Sequence, residues 1–358
     1  MTVSNQHTDY HQARLDYAES LFDSDAQLPY RYVFILTNRC NLACTFCFQE
    51  KSAIEGSLDL DGWLRVVNQL PDYAHVTLTG GEPLMFRGFN EILDAVTERF
   101  TCNIISNGLL LTEPLIDHML ERERLKVLSL SIDDIGNIAR DVRPKQWQKM
   151  VDMCNYLVAR RTDLDKHLIL DTKTVVLDEN VSDLAEIHRF CIEELKADTH
   201  SFMLLKGHSI QHADVMAPPE DMFRPESAHL YPDLQVLAEQ LEEVRRFNAS
   251  SGSRGFLHPE YVDLNGSEEI TAEQLWRVNL PDHNPEFFQG CKAPWESVHI
   301  NVDGAAMPCM AIQMGNIQKE SIQDVFFGGP YSEFRQVIRA KGTVEGCNRC
   351  GYLRPSSH

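Results

Sequence analysis

The chain has 358 residues, with 33 Lys and Arg against 53 Asp and Glu, for a formal charge of -20. That balance repels polyanions and argues against a nucleic-acid partner, while 43% hydrophobic content supplies a packed core and excludes a wholly disordered chain. No apolar run reaches the roughly 18 residues of a membrane helix, and the polar start MTVSNQHTDYHQARLDYAES lacks the order of a secretion signal. A membrane partner is therefore not expected, and the cytoplasm is the expected location.

Residues 1–29 read as an N-terminal extension. From Tyr30 the chain alternates short apolar runs with stretches of helical period six times: YRYVFIL, HVTLT, FTCNIIS, KVLSLSI, HLILDTKTVVL and HSFMLL. Between them, stretches 58–69, 88–100, 114–124, 145–161 and 181–195 repeat apolar residues at steps of three and four, the mark of amphipathic helices. Right-handed crossovers curl such units into parallel strands, so residues 30–206 predict an α/β fold, a partial (β/α)6 TIM-type barrel with a lateral opening.

Over residues 207–290 the alternation stops, with one helix expected near 234–247; this stretch reads as a bridging, substrate-shaping region. Residues 291–358 form a small α+β domain: SVHINVDGAAMPC predicts a hairpin turning at Asp303-Gly304, followed by a helix near 331–339. So small a unit needs a staple, and it holds four cysteines.

The ten cysteines point to metal or catalytic thiolates, because a reducing cytosol disfavours disulfides. Cys102, Cys154 and Cys191 sit singly in apolar stretches and read as core residues. Cys40, Cys44 and Cys47 lie in NRCNLACTFCF, directly after the first strand, where a barrel places its chemistry. Three thiolates on a four-iron cluster leave one iron open, and open coordination implies chemistry; a zinc site completed by a distant His or Cys is the alternative.

The C-x3-C-x2-C spacing with aromatic Phe46 resembles the radical S-adenosylmethionine (SAM) superfamily. That resemblance implies a 4Fe-4S cluster on Cys40, Cys44 and Cys47 whose open iron chelates SAM. Reductive cleavage of SAM then gives a 5'-deoxyadenosyl radical that abstracts hydrogen from substrate. Thr79-Gly80-Gly81-Glu82-Pro83, ending the second strand, matches the family's GGE motif, with Gly80 and Gly81 allowing close approach and Glu82 gripping the methionine amine. Ser106, Asn107, Ser131 and Asp133, ending the third and fourth strands, are implied contacts of the adenosyl part. Arg143 stands where the family's carboxylate-binding Arg is expected, with Arg140 as competitor. Lys173 and Lys206, the latter opening KGHSIQH, are candidate catalytic acids, bases or charge clamps.

Cys291, Cys309, Cys347 and Cys350 can saturate a cluster or a zinc ion. With GNI at 315–317 and YSEFR at 331–335, they resemble the superfamily's SPASM/twitch extensions. The chain runs eight residues beyond Cys350 without another cysteine, which favours the shorter twitch form with one auxiliary 4Fe-4S cluster, as in the 2-deoxy-scyllo-inosamine dehydrogenase type. The implied function is oxidation, by dehydrogenation or bond formation, of an unactivated C–H position in a small polar biosynthetic substrate, with the auxiliary cluster accepting an electron. Radical modification of a ribosomal precursor peptide stands second, and a non-catalytic iron-sulfur or zinc scaffold third. An electron donor such as flavodoxin or ferredoxin is the implied partner.

Overall fold

The computed structural model describes residues 27–49, 56–211 and 216–356. The expected extension, except for residues 27–29, and His212 lie outside the described residues. Six parallel strands follow the expected order: β1 (Arg31–Ile35), β2 (His75–Thr79), β3 (Thr101–Ser106), β4 (Leu125–Ser131), β5 (Ile169–Val176) and β6 (Thr199–Leu204). Helices α1 (Leu60–Val67), α2 (Phe89–Arg99), α3 (Glu113–Leu120), α4 (Pro144–Asp163) and α5 (Leu184–Glu193) occupy the intervals between them.

Local chemistry sets the boundaries. Asp59 caps α1, its carboxylate accepting from Gly62 N–H at 2.8 Å, and Thr112 caps α3 through Leu115 N–H at 3.4 Å. The apolar stripe of α1 delivers fully buried Trp63 onto Phe34 of β1, ring centroids 5.0 Å apart. Truncating Trp63 to Ala should cost about 3–5 kcal/mol, as for other buried aromatics. Cys102, Cys154 and Cys191 are buried, as core cysteines should be; burial pushes the Cys154 and Cys191 thiols up to about 12.

The sheet extends past the expected six strands on both sides. After α6 (Leu234–Ser251), the short strand β7 (Gly255–His258) pairs parallel with β6. On the other side β8 (Ser297–Ile300) pairs parallel with β1 and turns through Asp303-Gly304 into antiparallel β9 (Ala305–Met307) and β10 (Gly315–Asn316). Gly304 sits at φ +80°, a left-handed conformation that glycine adopts without strain. The order β10-β9-β8-β1-β2-β3-β4-β5-β6-β7 leaves the barrel open, because β7 and β10 do not pair.

The bridging stretch adds α7 (Ala272–Leu275), and the C-terminal part α8 (Ala293–Glu296), α9 (Ile322–Phe327) and α10 (Gly329–Lys341). Tyr331 of the YSEFR stretch is fully buried and donates its hydroxyl to the Met307 carbonyl at 3.1 Å. Arg335 lies 3.7 Å from the Phe326 ring centroid and donates to the carbonyls of Phe326 and Pro294. One apolar core runs from Phe34 and Trp63 through Trp295 and Ile300 to Phe326 and Tyr331, so hairpin and barrel share a foundation.

Candidate active site

The loop leaving β1 carries Cys40, Cys44 and Cys47, and main-chain contacts hold it against the end of β2. Gly81 N–H donates to the Thr37 carbonyl at 2.6 Å, and Glu82 N–H to the Arg39 carbonyl at 2.9 Å. A Cβ on Gly80 would lie 2.5 Å from the Thr37 oxygen, and one on Gly81 2.4 Å from the Arg39 oxygen. Both glycines therefore let β2 approach the cysteine loop, and both also line the adjoining cavity.

Glu82 departs from the expected placement. It is fully buried and does not line that cavity; its carboxylate accepts from Ser106 Oγ and Asn107 N–H, each at 2.8 Å, and from Leu84 N–H at 3.1 Å. Burial pushes its pKa upward against these hydrogen bonds. Glu82 thus acts on Ser106 and Asn107, which do line the cavity. Asn107 in turn donates from Nδ2 to Asn41 Oδ1 at 2.7 Å, beside Cys40.

Past β4 the chain doubles back. Asp134 accepts from Ile138 N–H at 2.6 Å and Ala139 N–H at 2.7 Å, while Asn137 and Asp141 take left-handed conformations. This turn aims Arg140 inward: Nη1 lies 3.7 Å from Cys44 Sγ, and the guanidinium carbon lies 5.3 Å from the Phe46 ring centroid. Burial opposes the charge, but Asp133 and the thiols of Cys44 and Cys47 hold Arg140 above its ordinary pKa. Arg143 instead sits at the N-cap just before α4, exposed to solvent and away from the cavity lining, because the turn spends the intervening residues reversing the chain. Asp133 is also absent from the lining; it is fully buried, bonds Arg140 Nε and accepts from Val175 N–H at 2.6 Å. Asp133 thus contacts the site through Arg140.

The cavity has a volume of about 1180 Å³, and the three cysteines, Phe46 and Ser131 line it. Three thiols opening together into that space fit an iron-sulfur group with one coordination position left for a ligand in the cavity. Asp178, Glu179 and His229 also line it and were not anticipated; His229 and Asp178 pair at 2.9 Å. Only the acidic run after β5 hinted at them.

A second cavity of about 440 Å³ lies alongside, and Lys173 and Lys206 line both. Lys173 pairs with Asp171 at 2.9 Å; that buried carboxylate also accepts from Ser129 and Thr199. Lys206 opens into the cavities yet is ringed by protein, which lowers its pKa from the ordinary 10.5.

Cys291, Cys309 and Cys350 line the second cavity. Cys291, Cys309, Cys347 and Cys350 converge closely enough that ionising one raises the pKa of others; burial is the larger cause, pushing Cys291 to about 12 and Cys350 to about 11. Among the described residues no three His, Cys, Asp or Glu side chains are drawn to the spacing of a single metal ion. Four thiols can ligate either a tetrahedral zinc, with bonds of about 2.3 Å, or an iron-sulfur cubane. The all-sulfur donor set fits the cubane.

The sequence model of the radical SAM superfamily matches residues 34–191, and that of the SPASM iron-sulfur cluster-binding domain matches residues 291–351. The chain belongs to the radical SAM superfamily of enzymes and carries a C-terminal SPASM domain; its cofactors are SAM and iron-sulfur clusters. It is 31% identical over 126 residues to the sporulation killing factor maturation protein SkfB of Bacillus subtilis, covering 34% of this chain and 30% of that protein's length. It is 21% identical over 336 residues to the PqqA peptide cyclase of Granulibacter bethesdensis, covering 88% and 78%. The fold resembles Streptococcus suis SuiB bound to its precursor peptide SuiA, with a TM-score of 0.59 at 18% identity over 92% of this chain and 71% of that one. Among the described residues, no helix is long and apolar enough to cross a membrane.

Proposed function

We propose that this enzyme modifies a precursor peptide by radical chemistry, forming a bond or oxidising a side chain at an unactivated C–H position. The match to a peptide cyclase over 88% of this chain and 78% of that protein carries the reading. It moves the peptide ahead of the small polar substrate that the sequence alone favoured. An open cavity of about 1180 Å³ gives room for both a cofactor and an inserted side chain.

Cys40, Cys44 and Cys47 would hold the cluster that binds SAM, and Cys291, Cys309, Cys347 and Cys350 one auxiliary cluster. When bound, the first group with SAM supplies a hydrogen-abstracting radical, and the second supplies one-electron redox capacity. The protein's own work is positioning. Arg140, held by Asp133, offers its remaining N–H donors to the SAM carboxylate. Ser106, Asn107 and Ser131 offer hydrogen bonds to its polar groups, and Phe46 covers one side. Lys173, neutralised by Asp171, holds a carbonyl or carboxylate of the peptide without presenting a free charge. An external donor of the flavodoxin or ferredoxin kind supplies electrons.

The test uses a uniformly deuterated extract of producing cells, split by ultrafiltration into peptide and small-molecule fractions, each given to the reduced enzyme with unlabelled SAM. Deuterium in 5'-deoxyadenosine from the peptide fraction alone is expected. Transfer from the small-molecule fraction alone would return the substrate to a small polar molecule.

A further inference from the structure

Lys206 stands where the two cavities meet, lining the first with Cys47 and the second with Cys309 and Cys350. Its ammonium lies 5.1 Å from the ring centroid of Phe48, the residue after Cys47, and donates to the Gln211 carbonyl at 2.7 Å. The Gln211 side chain donates to the carbonyls of Gly346 at 3.0 Å and Asn348 at 2.6 Å, the residues flanking Cys347. Next to Lys206, a Cβ on Gly207 would come within 2.9 Å of the Asn348 oxygen, so the backbone is pressed onto the loop that carries Cys347 and Cys350. Lys206 is therefore braced from both sides, by the loop of the three thiols and by the loop of the four.

Burial works against the charge of Lys206, and the nearby thiols of Cys350, Cys47 and Cys309 work for it. Of the two cations that line both cavities, Lys173 is paired with Asp171. Lys206, the other, has no carboxylate within ion-pair distance among the described residues and faces both thiol sites.

We propose that Lys206 is a positioning cation shared by the two thiol sites, setting the reduction potentials of the iron-sulfur groups held at both. A positive charge held on a cavity wall beside a redox centre stabilises the reduced, more negative state of that centre and raises its potential. A single charge between two centres shifts both in the same direction, which favours an electron arriving at either. This rests on the cluster assignment at both sites and is independent of the substrate reading.

The experiment is a redox titration followed by electron paramagnetic resonance on the anaerobically reconstituted full chain, comparing wild type with Lys206→Gln and Lys206→Arg. Gln retains a donor for the Gln211 carbonyl but no charge; Arg retains the charge. Expected are more negative midpoint potentials at both centres in Lys206→Gln and near-wild-type values in Lys206→Arg. If Lys206→Gln loads poorly, Lys206→Met gives the same comparison. Unchanged potentials in a fully loaded neutral variant would overturn the proposal, as would an Arg variant shifted as far as the neutral one. Iron analysis of the wild type keeps the assumptions apart: one cluster per chain sinks the two-centre reading itself, whereas two clusters with immobile potentials sink only the role of Lys206.

Discussion

Arg140 and Arg143 lie three positions apart, and the chain between them decides which reaches the site. Asp134 pins the start of the turn and left-handed Asn137 and Asp141 reverse it, so Arg140 meets Cys44 and Phe46 while Arg143 faces solvent. Conformations at positive φ are open to Asn and Asp but not announced by them, so the sequence favoured Arg143 and kept Arg140 only as a competitor. Arg140→Met should weaken SAM binding at least tenfold by equilibrium dialysis, and Arg143→Ala should leave it unchanged. The GGE stretch was legible as a site, but the burial of its carboxylate was not. Glu82→Ala would leave Ser106 and the Asn107 N–H without their buried acceptor, at about 1–3 kcal/mol for each group left unpaired. Weaker SAM binding at full iron content is expected. Gly81→Ala acts on the cysteine loop, since its Cβ would meet a main-chain oxygen that no rotamer change can move aside. Iron content after reconstitution should fall while far-ultraviolet circular dichroism stays near wild type.

At the scale of elements, the six strand–helix units and the Asp303-Gly304 hairpin were readable because each carries its own period, cap or turn. Strand β7 was not readable. Four residues, Gly255–His258, have too little pattern to declare a strand, and the exposed edge of β6 recruits them. α6 carries a different tertiary device. His188 on α5 donates from Nε2 to Asn248 Oδ1 of α6 at 2.8 Å, and its other nitrogen lies 3.1 Å from His200 on β6. Burial pushes His188 down to about 4 from an ordinary 6.5. Between those values the unfolded chain takes up a proton that the folded chain refuses, so stability is full above pH 6.5 and falls as pH drops. The loss is on the order of 3 kcal/mol by pH 4. Replacing His188 with Gln should flatten the fall of melting temperature between pH 6.5 and 5; an unchanged slope would place the acid sensitivity elsewhere.

For the whole molecule, the open ten-stranded sheet puts three thiols at the end of β1 and brings four more beside the barrel through β8 and its hairpin. The seven cysteines could be grouped from spacing alone. Their mutual placement could not, because it depends on β8 pairing with β1 across more than 260 residues. A charge of -20 favours a basic partner, so binding of a basic precursor peptide should weaken as salt rises; salt-independent affinity would assign recognition to apolar contacts. Central to the account is that both thiol groups hold iron and sulfide. Metal and acid-labile sulfide analysis of the anaerobically reconstituted full chain should give about eight irons with matching sulfide and no zinc, as for two 4Fe-4S clusters. About four irons with one zinc would keep the radical barrel but contradict a redox role for the C-terminal domain.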